Sequence, residues 1–237
     1  MTSAITYPGD DLLIFQNAKN WKSYIRRQVR PFLGARVLEV GAGIGATTVD
    51  FSKPDTDEWV CLEPDPSLAA TLQDRLRSGE LPPICSVKCG SLLDLASGNP
   101  FDTILYIDVL EHIQSDEEEL AGAARLLNPG GHLVVMSPAH QFLFSKLDSA
   151  AGHVRRYTRN SLLALTPDNV SVVRTRYLDS IGMLASLANR HILNSHLPTM
   201  GQLRFWDRVM VGTSRKLDPL LLYTLGKSIL VVWRKSP

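Results

Sequence analysis

The sequence predicts an α/β fold, a doubly wound parallel sheet with helices on both faces, and three observations carry that expectation. Short apolar runs alternate with stretches of helical periodicity. The first run ends in a glycine turn, Glu39-Val40-Gly41-Ala42-Gly43-Ile44-Gly45. The next ends in an acid, Glu63, about twenty residues beyond the glycines, the arrangement open sheets use to bind a ribose-bearing ligand.

Taken in order, apolar residues at Leu12, Leu13, Phe15, Trp21, Ile25 and Val29 recur at helical spacing and predict an amphipathic helix from Asp11 to Phe32, ending near Pro31. Strands are expected at Arg36 to Val40 and Glu58 to Leu62, followed by a helix from Ser67 to Arg77. Strands at Ser86 to Cys89 and Phe101 to Ile107, a helix from Asp116 to Leu127 and a strand from His132 to Ser137 continue the alternation. Asn128-Pro129-Gly130-Gly131 reads as the turn between that helix and that strand. Val170 to Leu178 and Ser228 to Trp233 are the remaining strand candidates. Between them, 179–226 is apolar and basic, with Ile181, Met183, Leu187, Phe205, Trp206 and Val209 interleaved with Arg190, Arg204, Arg208 and Arg215. It reads as a helical cap near the end of the sheet.

A chain of 237 residues suits one such domain with insertions. The expected division is an N-terminal helical lid at 1–33, a cofactor-binding half at 34–138 and a substrate half at 139–237 that contains the cap at 179–226. A net charge of +1 argues against a broad nucleic-acid face. Cys61, Cys85 and Cys89 suit reduced thiols, and the pair at 85 and 89 lacks the further ligands a zinc site needs. The N-terminus shows no secretion signal, and no stretch reaches the roughly 18 apolar residues of a membrane span. A cytoplasmic protein is expected.

The glycines can also be read as Gly41-x-Gly43-x-x-Ala46, a tolerable dinucleotide fingerprint, so they do not decide the ligand alone. Glu39 does more. A carboxylate two residues before the first glycine would face the pyrophosphate of NAD unfavourably but suits an ammonium group. Glu63, at the end of the second strand, suits the two ribose hydroxyls.

In these segments the chain resembles the class I S-adenosylmethionine-dependent methyltransferases. The resemblance rests on Val37 to Gly45, on Leu62-Glu63-Pro64-Asp65, on Gly90-Ser91-Leu92-Leu93-Asp94-Leu95, on Phe101 to Ile113 and on Leu127 to Leu133. It implies a Rossmann-like sheet of about seven strands, mostly parallel with an antiparallel last strand, and S-adenosylmethionine as cofactor, leaving as S-adenosylhomocysteine, with no metal. It further implies that Glu39 with Gly41, Ala42, Gly43 and Gly45 holds the methionine end, and that Glu63 and Pro64 meet the ribose. Asp94, with the backbone of Ser91, Leu92 and Leu93, would meet the adenine, and Ile107 and Asp108 would line the sulfonium side. Ser91 departs from the acid often found after that glycine. An aromatic at Trp21 would cover the cofactor, although core packing is the simpler reading.

Methyl transfer to a hydroxyl needs an in-line nucleophile and a base. His153 is the first candidate. It lies in Gly152-His153-Val154-Arg155-Arg156-Tyr157-Thr158, which resembles a signature of one methyltransferase subgroup, and a histidine titrates near neutrality. The alternative for His153 is an Asp-His-Arg-Tyr cluster that pins a crossing loop through hydrogen bonds. His112, after the fourth strand, and His140, after the fifth, are weaker candidates, and a loop-anchoring imidazole is the simpler reading of His112. The acidic run Asp116 to Glu119 reads as a helix start, with Asp116 and Glu119 at capping-box spacing. A small-molecule or lipid-like acceptor, methylated at oxygen, is the expected substrate. The fourth strand ends in Tyr106-Ile107-Asp108-Val109, unlike the Pro-Pro-Tyr/Phe run of nucleobase amino methyltransferases. An NAD-dependent oxidoreductase on the same sheet is one competing reading. A non-catalytic interaction protein touching a membrane surface through 179–226 is the other. The oligomeric state leaves no mark in the sequence.

Overall fold

The structure, a computed structural model, describes residues 17–52, 55–95, 100–192 and 199–237, without the side chains of 189–192. Leu12, Leu13 and Phe15 of the expected first helix, and the side chain of Arg190, lie outside the described residues. The elements in chain order are α1 (Lys19–Val29), β1 (Arg36–Val40), α2 (Ala46–Phe51), β2 (Glu58–Glu63), α3 (Pro66–Arg77) and β3 (Cys85–Cys89). Then come β4 (Phe101–Ile107), α4 (Asp116–Arg125), β5 (Leu127–Pro138), α5 (Lys146–Ala150), α6 (Arg159–Leu163) and β6 (Val170–Leu178). The chain closes with α7 (Ser180–Ile192), α8 (Met200–Phe205), a π turn (Trp206–Met210), α9 (Val211–Leu220) and β7 (Ser228–Lys235).

Seven strands form one sheet in the order β3-β2-β1-β4-β5-β7-β6. β1, β2, β3, β4 and β5 pair in parallel, and β7 runs antiparallel to both β5 and β6. The central strands are mostly apolar and buried because helices cover both faces of the sheet. Alternate residues feed alternate cores. Val37, Trp59, Cys61, Leu105 and Val134 pack with Trp21, Tyr24, Ile25 and Val29 of α1 on one face. Leu38, Val60, Ile104, Tyr106 and Val135 pack with Leu120 and Ala123 of α4 on the other. The strand order reverses between β1 and β4, which opens the carboxyl edge there for a ligand.

Two local expectations are corrected. The Asn128 to Gly131 turn is absorbed into β5 as an irregularity: between the pairs Phe101↔Leu127 and Thr103↔His132, β4 advances two residues while β5 advances five. Gly130 supplies the left-handed bend, at φ 77°. Asp116 and Glu119 do not form a capping box. Ser115 stands at the N-cap position without a side-chain bond. The Asp116 carboxylate is buried and takes the Tyr157 hydroxyl at 2.7 Å together with the Arg155 guanidinium, while Glu119 accepts from Tyr106 at 2.8 Å. A tyrosine, a guanidinium and a buried sheet outcompete the local cap.

The cap segment is tied to the sheet by two buried aspartates. Ala18 stands at the N-cap of α1 and has no side-chain acceptor to offer the helix. Asp207 supplies one from across the fold, taking the backbone N–H of Asn20 at 3.1 Å and of Trp21 at 2.9 Å. Asp218 accepts the Tyr24 hydroxyl at 2.8 Å and the N–H groups of Asp179 and Ser180 at the start of α7.

Candidate active site

The glycine turn between β1 and α2 has left-handed backbone at Gly41 (φ 65°), Gly43 (φ 58°) and Gly45 (φ 77°). A side chain at Gly41 would be strained and would also meet Val109 at 2.7 Å. Glu63 closes over this turn: one carboxylate oxygen accepts the Gly43 N–H at 2.8 Å and the other the Asp65 N–H at 3.0 Å. Each oxygen keeps a lone pair for a ribose hydroxyl. Burial raises the Glu63 carboxyl, and the two N–H bonds oppose that rise. Pro64 leads into Asp65, which caps α3 by taking the N–H groups of Ser67 and Leu68.

Glu39 is buried beneath the turn. One of its oxygens accepts the Thr48 hydroxyl at 2.6 Å and the Trp59 indole N–H at 2.8 Å. Burial pushes its carboxyl up to about 7, against these two bonds. A buried carboxylate whose charge is disfavoured gains from a cation, so the donor set fits an ammonium group above it. Along the next strand end, Ser91 N–H and hydroxyl both donate to Asp94 at 2.8 and 2.9 Å, which lowers the Asp94 carboxyl and keeps it anionic. Leu92 is buried while Leu93 projects into solvent.

Non-glycine residues with positive φ end three successive sheet strands on this edge: Asp108 (54°) after β4, His140 (66°) after β5 and Asp179 (65°) after β6. Such conformations cost free energy and gather where side chains must be aimed. Asp108 follows Ile107 directly and is exposed at this edge. Loss of hydration to the surrounding protein nevertheless pushes its carboxyl up to about 6, while a protonated His153 and the Lys227 ammonium pull it down.

His153 and His112 meet edge to face with ring centroids 4.7 Å apart. The His153 Nδ1 lies 2.9 Å from Asp148, whose carboxylate also takes the Arg156 guanidinium at 2.8 and 2.9 Å. Burial alone would raise the Asp148 carboxyl, but these bonds hold it well below the usual range. An anionic carboxylate accepts only, so Nδ1 is the nitrogen that donates to Asp148, and in the neutral imidazole Nε2 presents a lone pair. Nε2 is 3.9 Å from Glu111. Glu111 is fully buried and neither of its oxygens makes a hydrogen bond of sound geometry; burial, reinforced by Asp108, holds its carboxyl well above the ordinary range. Among the described residues, Glu111, His112 and His153 also form a group with metal-like spacing, their donor atoms lying within 4.8 Å of one another.

His140 sits elsewhere, stacked between Phe142 (5.1 Å) and Tyr177 (4.8 Å), with burial lowering its imidazole. Trp21 is 8% exposed and packs 5.8 Å from Trp206 in the core. From sequence, an Asp-His-Arg-Tyr cluster around Asp148, His153 and Arg156 reads equally as a hydrogen-bonded pin for a crossing loop, and Glu111 has no role of its own. The spacing Asp148 to His153 is short enough to suggest a pair; the approach of Glu111 across 42 residues had no local signal.

A family model described as a methyltransferase domain matches residues 15–191. The chain belongs to this methyltransferase domain family. It is 27% identical over 114 residues to norajmaline N-methyltransferase of Rauvolfia serpentina, covering 48% of this chain and 39% of that protein. It is 28% identical over 110 residues to a ubiquinone biosynthesis O-methyltransferase of Azorhizobium caulinodans, covering 46% and 42%. The chain thus matches about two fifths of the length of these curated relatives. The solved structure of coclaurine N-methyltransferase, bound to N-methylheliamine and S-adenosylhomocysteine, superposes with a TM-score of 0.59 at 16% identity, covering 90% of this chain and 71% of that one. That likeness establishes the shared Rossmann-like methyltransferase fold.

Proposed function

We propose that the protein transfers the methyl group of S-adenosylmethionine to an oxygen of a small-molecule or lipid-like acceptor, with His153 as the base. The observation that carries this reading is the Asp148–His153–Glu111 array, 2.9 Å and 3.9 Å between partners, beside Asp108 at the carboxyl edge. The cofactor supplies an electrophilic methyl group on a sulfonium. Glu63 takes the ribose hydroxyls, the free oxygen of Glu39 faces the ammonium, and Asp94 with the Ser91 to Leu93 backbone borders the adenine. Ile107 and Asp108 flank the sulfonium.

Asp148 fixes the tautomer and orientation of His153, so Nε2 can accept the acceptor hydroxyl's proton as its oxygen attacks in line at roughly 3 Å. Two products leave, the methyl ether and S-adenosylhomocysteine, and the proton rests on the imidazole until water takes it. Glu111 lies 3.9 Å from Nε2, and burial disfavours its anion. Relatives that methylate oxygen, among them the ubiquinone O-methyltransferase, support the choice of atom; those that methylate nitrogen keep an amine acceptor as the second reading.

The test is a His153→Ala variant assayed with labelled cofactor against a pool of phenols, alcohols and amines. Loss of turnover by about a hundred-fold or more, with S-adenosylhomocysteine affinity intact, is expected. Unchanged turnover removes His153 from the chemistry, and methylation of amines alone transfers the reading to nitrogen.

A further inference from the structure

Every charged side chain that 199–226 turns toward solvent is cationic. Arg204, Arg208 and Lys216 are exposed and Arg215 is half-buried, while the segment's two acids, Asp207 and Asp218, are buried and spent on α1 and α7. Arg27 of α1 joins Arg208, Arg215 and Lys216 along one groove. Apolar side chains share that outer surface: Phe205, Val209 and Leu220 recur with Thr213 and Lys216 at three- and four-residue steps and are 54%, 50% and 77% exposed.

The turn after α9 adds a second observation. Leu222 (φ 50°) and Tyr223 (φ 55°) are consecutive non-glycine residues in left-handed backbone, an uncommon arrangement for a leucine. The turn is held firmly, by Tyr223 N–H to Asp218 O at 2.8 Å, Tyr177 N–H to Tyr223 O at 2.9 Å and the Arg176 guanidinium 4.0 Å over the Tyr223 ring. Its effect is to leave Leu222 79% exposed beside Leu220. The turn runs into Ser228, which pairs with Pro138 at the end of β5, so the leucines stand at the same sheet edge as the candidate active site.

We propose that this face seats the protein on an anionic lipid bilayer surface, with Leu220 and Leu222 entering the headgroup–acyl boundary and Arg204, Arg208, Arg215 and Lys216 meeting lipid phosphates. A cationic surface with projecting apolar residues and, among the described residues of 199–226, no outward acid matches that boundary in both charge and polarity. Among the described residues no helix is long and apolar enough to cross a membrane, and the contact proposed is with the bilayer surface. The inference goes beyond the methyl-transfer reading and does not depend on it.

Flotation with phosphatidylcholine vesicles, with and without phosphatidylglycerol, tests it. The protein should float with the anionic vesicles and be released by high salt. Arg208→Gln/Lys216→Gln should lower the partition coefficient about 25-fold, since each cation near an anionic surface contributes about fivefold. Leu220→Ser/Leu222→Ser should lower it as well, while both variants keep the wild-type melting shift with S-adenosylhomocysteine. Wild-type protein left in solution, or variants that float as well as wild type, overturns the proposal. A concentration-dependent dimer abolished by the leucine substitutions, without flotation, overturns it in favour of a second copy of this chain.

Discussion

Asp148 carries two jobs on one carboxylate, orienting His153 and holding Arg156. Asp148→Asn would let the imidazole take the wrong tautomer and would cut turnover by about a hundred-fold, with cofactor affinity unchanged; equal kcat in the variant would show that His153 needs no orientation. Because the folded Asp148 carboxyl is depressed, its stabilising contribution is complete above the ordinary aspartate range and is lost only as pH falls well below it. Glu39 has the opposite sign. Its carboxyl stands at about 7 when folded against 4.5 ordinarily, so in the ligand-free protein its ionisation subtracts stability as pH rises through that window. A bound ammonium reverses the preference. S-adenosylhomocysteine affinity should therefore strengthen from pH 6 to 8, by about tenfold as an order of magnitude, and Glu39→Gln should flatten the profile. A flat wild-type profile in calorimetry would take Glu39 away from the ammonium. The Glu111, His112 and His153 donors invite a third check at this scale. With His153 as base, exhaustive chelation leaves turnover unchanged; loss restored by a divalent cation would give the proton-removing role to a bound ion.

At the scale of elements, the strands were legible because their signal is local. β1, β4 and β6 occupy the predicted residues; β1 and β4 are mostly apolar and buried, whereas β6 is an edge strand exposed or half-buried until its last two residues. What escaped was set by partners far along the chain. Asp116 reads as a helix-start acid until Tyr157 and Arg155 are folded against it, and Asn128 to Gly131 reads as a free turn until β4 draws it into register. The site divides in the same way: the glycine turn, Glu63 and His153 lie in short motifs, whereas Glu111 reaches His153 only through the crossing of two loops. The cap of α1 is another long-range dependency, since Ala18 offers nothing and Asp207 supplies both acceptor oxygens. Asp207→Ala should cost about 1–2 kcal/mol and lower the melting temperature by roughly 2–8 °C. A change within error would mean that water satisfies those N–H groups as well as the carboxylate does.

For the whole molecule, the sheet reversal between β1 and β4 opens a cleft that many nucleotide ligands could enter, and the fold by itself does not choose among them. The choice falls to charge. Glu39 and Glu63 both lie within or beside the glycine turn, both are buried, and both are raised by that burial. A pyrophosphate placed there would add negative charge where two carboxyls already resist ionisation; an ammonium and a sugar diol relieve the first and hydrogen-bond to the second. A ligand that binds only the folded state at a hundred times its dissociation constant stabilises by about 2.7 kcal/mol, which for a chain of this length raises the melting temperature by roughly 5–11 °C. S-adenosylhomocysteine should produce that shift and NADH none. Glu63→Ala should abolish it while leaving the ligand-free protein folded, because Gly43 and Asp65 lose one hydrogen bond each but the sheet register on either side is untouched. A shift with NADH and none with S-adenosylhomocysteine would mean that the cleft's electrostatics had been read with the wrong sign.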